Sequence, residues 1–345
     1  MTDYERLILD LVRQLNGSKK RRQVTDILQG NKTSQNMIDI YLHRILPFFG
    51  VLENEHFMTL KTIIQQLLET GTLIEREDGR LQLTDKGLSA VSDFTLQTNY
   101  RHLNGWRWHR RLPLFAMALQ LTTQMTANAH QEIAHYFPIV RDTSVQVYCK
   151  QWWLKAASGD KTALAKSYHD ELMSLLETIE IAPNVIVDRL TGGPIIGLTA
   201  EQSAQKQHIP TERCNLQWLA GLSEMMDLLE RYPKSWPLLA QLVPIRALQL
   251  TESAQQTHQL LLAGVPVREI EPRRRLQQST IVDHFVQLIG LQILPLERFV
   301  SAANIAYFKL NQQRATSLKA ARDFVPALGY DTLKLCLVSE GGYHA

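Results

Sequence analysis

Apolar residues recur at helical spacing along most of the chain, and the most informative pattern lies between residues 257 and 288. There a helix, a glycine turn, a short helix and a basic corner precede a further helix, whose apolar face is formed by Ile281, Phe285 and Leu288. The start of this last helix, residues 277–280, is polar and uncharged. The pattern predicts a helix-turn-helix, in which one helix supports a second whose N-terminal side chains face outward.

A second local pattern predicts a helix followed by a β-hairpin near the start of the chain. Residues 59–69 form an amphipathic helix that Gly71 ends. Residues 72–76 and 80–84 then alternate between apolar and polar positions, and Glu77-Asp78-Gly79 lies between them. An Asp-Gly pair between two alternating segments is a strong hairpin signal. A helix followed directly by a hairpin indicates a winged-helix layout.

The middle of the chain is helical and less regular. Helices are predicted over residues 112–125, 145–157, 162–179 and 216–229. Prolines at 233, 237 and 244 are typical of a domain boundary. The fold class is therefore mostly α and multi-domain, with an N-terminal helical, winged-helix-like domain (1–98), a helical middle domain (99–250) and a C-terminal helix-turn-helix domain (251–345).

Composition limits the class of protein. The hydrophobic fraction of 45% supplies several cores, and the net charge of +3 requires any basic surface to be local. The chain has no apolar run of the roughly 20 residues that a bilayer crossing needs, and its start does not resemble a signal peptide. Cys149, Cys214 and Cys336 are scattered and odd in number, which indicates packed thiols in a reducing compartment. We expect a cytoplasmic protein, nucleoid-associated if it binds DNA, with no membrane contact.

Segments that resemble catalytic motifs lack the required spacing. Residues 30–33 (GNKT) lack the upstream glycine of a phosphate loop and follow a helix, so a helix stop and a new N-cap are favoured. Residues 192–197 (GGPIIG) are interpreted as a structural turn. His130 and His135 are five residues apart and do not share one helix face as a metal pair would. We therefore expect no enzyme activity, no cofactor and no metal.

Three groups of residues are candidates for nucleic-acid contact. Arg273, Arg274 and Arg275 are placed to contact phosphates, and the alternative is a solvated turn. On the helix that follows, the predicted exposed positions are Gln277, Gln278, Ser279 and Asp283, which suit either base edges or a protein partner. Arg107, Arg110 and Arg111 alternate with Trp106 and Trp108, a composition typical of single-strand binding. For this last group we favour the alternative, a domain junction with buried tryptophans.

Several short segments also carry a family resemblance. They are residues 15–17 (LNG), 30–35 (GNKTSQ), 83–87 (LTDKG), 251–254 (TESA) and 279–284 (STIVDH), with Gly264 and Ile270. Over almost its whole length the chain resembles the firmicute YpbB family, helix-turn-helix proteins that look like accessory partners of RecQ-type helicases. The chain departs from the family pattern at Glu271, Pro272 and Arg275, and Pro272 predicts a distorted first helix of the pair.

The resemblance implies a non-enzymatic accessory factor for DNA replication, repair or recombination. Its partners would be a RecQ-type DNA helicase, DNA, or both, contacted through the helix-turn-helix modules. The alternative is a DNA-binding transcription regulator with a helical sensing domain, which predicts a dimer and a palindromic site. A pure protein-interaction scaffold is the third interpretation. The oligomeric state is left open.

Overall fold

A computed structural model describes residues 1–53, 57–96, 100–157 and 159–340. Within them the chain is mostly helical, which confirms the predicted fold class, and the strands described form one two-stranded antiparallel hairpin. The first part contains α1 (Asp3–Leu15), α2 (Arg21–Leu28), α3 (Ser34–Leu42), α4 (Phe57–Glu69), β1 (Leu73–Glu75), β2 (Leu81–Leu83) and α5 (Asp85–Ala90).

The remaining described elements are all helices. They are α6 (Gly105–Trp108), α7 (Leu112–His130), α8 (Thr143–Ala156), α9 (Lys161–Thr178), α10 (Asn184–Val187), α11 (Ala200–Gln207), α12 (Thr211–Arg231), α13 (Pro237–Ala240), α14 (Glu252–Leu262), α15 (Val267–Arg274), α16 (Gln278–Gly290), α17 (Ala302–Asn311), α18 (Leu318–Phe324) and α19 (Tyr330–Glu340). Within the described ranges, none of these helices combines the length and apolar character that a membrane crossing requires.

Contacts divide the chain into two compact units. Unit 1 consists of residues 1–7, 94–103 and 110–245, and unit 2 of residues 8–93, 104–109 and 246–345. Unit 2 therefore combines segments that the sequence assigned to the first and third domains. The proposed limits at residues 98 and 250 stay a prediction.

The predicted hairpin of unit 2 is present with the predicted turn. Residues Leu73, Ile74 and Glu75 pair with Leu83, Gln82 and Leu81 in antiparallel register. Gly79 has a φ of +78°, a conformation that glycine adopts without a steric penalty, which explains the Asp-Gly signal. The preceding helix α4 and Gly71 (φ +70°) also match the sequence pattern.

The three helices of the predicted helix-turn-helix are α14, α15 and α16. Gly264, with a φ of +80°, ends the first of them. The expected distortion at Pro272 is small in extent, because α15 continues past the proline to Arg274. The chain then reverses at Arg275, which has a left-handed φ of +52° and donates its backbone N–H to Glu271 O at 2.9 Å.

Within unit 2, α16 packs against helices from both ends of the sequence. Trp106 Nε1 donates to Gly290 O at 3.2 Å, and the Trp106 ring lies edge-on to Tyr41 of α3 with centroids 5.8 Å apart. Gln249 Nε2 donates to Trp106 O at 3.1 Å. Both α3 and α19 contact α16, so residues near 40, 106 and 290 share one core.

Unit 1 is built on the packing of α7 with α8 and α9. Tyr168 of α9 is buried, its hydroxyl lies 2.9 Å from Thr122 Oγ1 of α7, and its ring lies edge-on to Trp152 of α8. Burial raises the pKa of the Tyr168 hydroxyl to about 12, because the charged phenolate is poorly solvated there. The segment 192–197 forms a turn in which Gly192 and Ile195 pair, as predicted.

Candidate nucleic-acid interface

The candidate interface is the α15–α16 corner, defined by Arg273, Arg275 and residues 277–279. All of these positions are exposed. The Gln277 side chain does not cap α16, and Thr280 N donates to Gln277 O at 2.9 Å, so the backbone N–H groups of Gln278 and Ser279 are those that the first turn presents to the surroundings. Such an N-terminus favours anionic groups, since its amides carry partial positive charge. The corner can therefore contact phosphate at the end of a helix.

Beyond its first turn, α16 is enclosed. Its buried residues are Ile281, Val282, His284, Phe285, Val286, Gln287, Leu288, Ile289 and Gly290. The predicted face of Ile281, Phe285 and Leu288 is thus only part of the buried surface. A helix covered on so many sides cannot lie along a DNA groove, so only its N-terminal end is available for contact.

The three consecutive arginines of the corner have different environments. Arg273 is exposed and pairs with Glu269 at 2.8 Å, one turn earlier on α15. Arg275 is exposed at the left-handed position. Arg274 points inward and donates to Ser253 O at 2.7 Å and to Thr257 Oγ1 at 2.6 Å. Arg274, one of the predicted phosphate-binding residues, therefore stabilises the fold of the corner and does not form part of its outer surface.

The exposed positions expected on α16 are partly confirmed. Gln277, Gln278 and Ser279 are exposed, and Gln278 Nε2 donates to Asp331 Oδ2 at 3.0 Å. Asp283 differs from the expectation, since only 14% of its side chain is exposed. Its carboxylate accepts a hydrogen bond from Ser34 and faces Lys334 Nζ at 3.4 Å, so it connects α16 to α3 and α19.

A polar network behind the corner was not predicted from the sequence. Thr257 Oγ1 on α14 contacts both the Arg274 guanidinium and Nδ1 of His284, the latter at 2.8 Å. The network thus joins α14, α15 and α16. Burial, followed by the nearby Arg274 charge, lowers the pKa of His284 to about 4, because the imidazolium form is poorly solvated and repelled. His284 is therefore neutral in the folded protein near pH 7.

This network predicts a loss of stability on acidification. Between pH 6.5 and about 4 the unfolded chain binds a proton at residue 284 and the folded chain does not, so the free energy of unfolding falls as the pH falls. We expect His284→Gln to reduce this fall by about 2 kcal/mol, as measured by urea unfolding at pH 7 and pH 4.5. His43 and His258, whose pKa values burial also lowers, remain in both proteins. Equal pH dependence in the two proteins would contradict the assignment.

The aromatic and basic segment at residues 106–111 does not form a stacking platform. Trp106 and Trp108 are 2% and 0% exposed, so bases cannot stack on their rings. In unit 2, the Arg107 guanidinium lies 4.3 Å from the Trp108 ring centroid. In unit 1, Arg111 is 1% exposed, donates to Pro244 O at 2.6 Å and pairs with Glu230. Arg110 is exposed. The favoured interpretation, buried tryptophans, agrees with the structure.

The basic cluster at residues 19–22 is largely neutralised by acidic neighbours. Lys19 is buried and its Nζ lies 2.5 Å from Asp39 Oδ2. Arg21 pairs with Glu75 of the hairpin. Arg22 keeps 89% of its side chain exposed. This cluster therefore offers less unpaired positive charge than the number of its cations suggests.

The three cysteines belong to the packed core. Cys149, Cys214 and Cys336 are buried thiols outside any disulfide, as expected, and burial raises the pKa of Cys149 to about 11. In the described part of the chain, His, Cys, Asp and Glu side chains form no group of three or more that could hold a metal ion.

Models of two known domain families match the two ends of the chain. A model of a helix-turn-helix domain matches residues 253–337, and a model of the RQC domain, the RecQ C-terminal domain, matches residues 1–93. No solved structure matches. The two domains are those of a RecQ-associated DNA-binding module.

One curated relative aligns with nearly all of the chain. Protein YpbB of Bacillus subtilis (strain 168) is 23% identical over 347 residues, which cover 98% of this chain and 97% of the relative. Together with an RQC domain at the start and a helix-turn-helix domain near the end, this alignment confirms the resemblance to the YpbB family stated from the sequence.

Proposed function

We propose that this protein is a non-enzymatic accessory factor in DNA replication, repair or recombination, which binds the DNA backbone and docks on a RecQ-type helicase. The observation that carries the proposal is the α15–α16 corner. It combines Arg273 and Arg275 with the uncapped N-terminus of α16 on an exposed edge of unit 2. Cations beside free backbone amides are typical of phosphate contacts.

The geometry of the corner favours binding that depends little on sequence. Phosphate contacts fix a protein on DNA and carry no base information, whereas base reading needs side chains in a groove. Only residues 277–279, at the start of α16, can approach base edges, because the helix is largely buried from Ile281 onward. The transcription-regulator alternative requires a marked preference for one site, which this limited contact does not favour.

Removing the two exposed arginines should weaken DNA binding. In the double variant Arg273→Gln/Arg275→Gly, we expect the affinity for duplex DNA at low salt to fall about tenfold and the salt slope to decrease by about 2. Glycine suits the left-handed φ at 275, so the variant should fold. Fluorescence anisotropy at two salt concentrations measures both quantities. The matched control is Lys166→Glu, an exposed charge change on α9.

The same experiment decides between the interpretations. An unchanged salt slope in the double variant would show that the corner does not contact DNA. A pull-down with the cognate RecQ-type helicase tests the second contact. If neither helicase nor DNA binds, the accessory role is excluded, and a strong preference for a palindromic site would support the regulator instead.

A further inference from the structure

The helix α8 of unit 1 has one face built into the core. Val145, Cys149 and Trp152 are 5%, 0% and 4% exposed. Trp152 Nε1 donates to Leu238 O at 3.1 Å, and Cys149 Sγ lies 3.9 Å from Ala118 O of α7. These contacts hold the helix in place and fix which of its side chains face away from the core.

The opposite face carries an exposed apolar ridge. Val147 and Leu154 are 51% and 67% exposed and lie seven residues apart. Seven residues correspond to almost two helical turns, so the two side chains point in nearly the same direction about 10 Å apart. Gln151 is exposed between them. Two aliphatic side chains at this spacing match the i and i+7 positions by which packed helices contact each other.

The charged side chains of α8 itself have one sign. Lys150 and Lys155 are exposed on its two sides, and the helix Thr143–Ala156 contains no acidic residue. The acids that flank the helix in sequence are Asp142 and Asp160, which accept hydrogen bonds from Val145 N at 3.0 Å and from Ala163 N at 2.9 Å as N-caps. Each is therefore committed to the start of a helix. Arg141 adds a further exposed cation before it.

From this arrangement we infer that the outer face of α8, defined by Val147, Lys150, Leu154 and Lys155, is the docking site for a partner helix with aliphatic residues along one face and acidic residues beside them. The aliphatic side chains of the partner would cover the ridge, and its carboxylates would lie beside the two lysines. The inference goes beyond the DNA contact of unit 2. It assigns a binding role to unit 1, in a region between the two matched domains.

A peptide fits this face better than a membrane or a nucleic acid does. Interfacial membrane helices insert a broad apolar face, whereas α8 offers two exposed aliphatic positions on an otherwise anchored helix. Single-stranded nucleic acid requires accessible aromatic rings. Tyr148, at one side of this face, is 41% exposed, and its hydroxyl donates to Gln241 O, which fixes the ring against unit 1.

The inference is tested with the full-length protein and a labelled synthetic peptide of about 16 residues, long enough to form a helix. The peptide has leucines at i, i+4 and i+7, glutamates beside them and alanines at the remaining positions, and a second peptide has lysines in place of the glutamates. We expect the acidic peptide to bind with a Kd of tens of micromolar, and the lysine peptide not to bind. Lys150→Glu and Leu154→Glu should each weaken binding about tenfold.

The control variants lie on the neighbouring helix, α9. Lys166→Glu and Met173→Glu change an exposed cation and an exposed apolar residue on α9 and should leave binding unchanged. The inference is overturned if the acidic peptide does not bind, or if Leu154→Glu binds it as the wild type does. Binding to vesicles of anionic lipid that Leu154→Glu abolishes would also overturn it, in favour of a membrane. Since the assay contains no DNA, its result is independent of the α15–α16 corner.

Discussion

Gly105→Ala should destabilise unit 2 by about 4 kcal/mol, a larger effect than most single substitutions have. A Cβ at residue 105 would lie 1.7 Å from Phe49 O and 2.7 Å from Phe49 C. Both are backbone atoms, and Phe48 and Phe49 are fully buried, so the opposing chain has little room to move. Urea unfolding followed by tryptophan fluorescence measures the change, because Trp106 and Trp108 belong to the same helix, α6.

The matched control is Gly329→Ala, where an added Cβ meets nothing within 4 Å. We expect that variant to stay within about 0.5 kcal/mol of the wild type. A Gly105→Ala protein of nearly wild-type stability would show that α6 and the backbone of Phe49 do not approach each other so closely.

The second large effect is expected at Arg111, which the sequence placed among the nucleic-acid candidates. Its side chain is 2% exposed, pairs with the Glu230 carboxylate and donates to Pro244 O. Arg111→Met should therefore lower the free energy of unfolding by about 3 kcal/mol, because a half-buried carboxylate and a half-buried carbonyl lose a charged donor that is itself buried. Duplex-DNA affinity of the folded fraction should not change.

A double variant separates the ion pair from the packing of the side chain. Arg111→Met/Glu230→Gln should recover a large part of the lost stability, since it removes the charge that Arg111 balanced. If the double variant is no more stable than the single one, the pair contributes little and the loss comes from packing. A lower DNA affinity of Arg111→Met under native conditions would indicate that Arg111 belongs to the DNA interface.

Local patterns predicted the elements well, because their causes are local. The Asp78-Gly79 pair indicated the hairpin, and Gly79 does adopt the left-handed conformation that such turns need. The face of Ile281 and Phe285 indicated the second helix of the helix-turn-helix. The N-cap predicted within residues 30–33 is also present, since Thr33 accepts a hydrogen bond from the first turn of α3.

The candidate site was harder to predict, because side-chain burial depends on contacts between distant parts of the chain. Arg274 and Arg275 are neighbours of one type, yet the helix geometry turns one toward Ser253 and leaves the other exposed. Nothing local showed that Asp283 faces Ser34, 249 positions away. A segment with tryptophans at 106 and 108 has the same composition whether it forms a stacking platform or part of a core. Only the burial of the two rings distinguishes these roles.

The composition of unit 2 also has a consequence for synthesis of the protein. Its core joins residues 8–93 to residues 246–345, so α3 meets α16 and α19 only after nearly the whole chain has left the ribosome. Until then the apolar surface of α3 that α19 will cover is exposed to other nascent chains and to chaperones. Truncations before α19 should consequently aggregate or be degraded, even when they retain the entire RQC match.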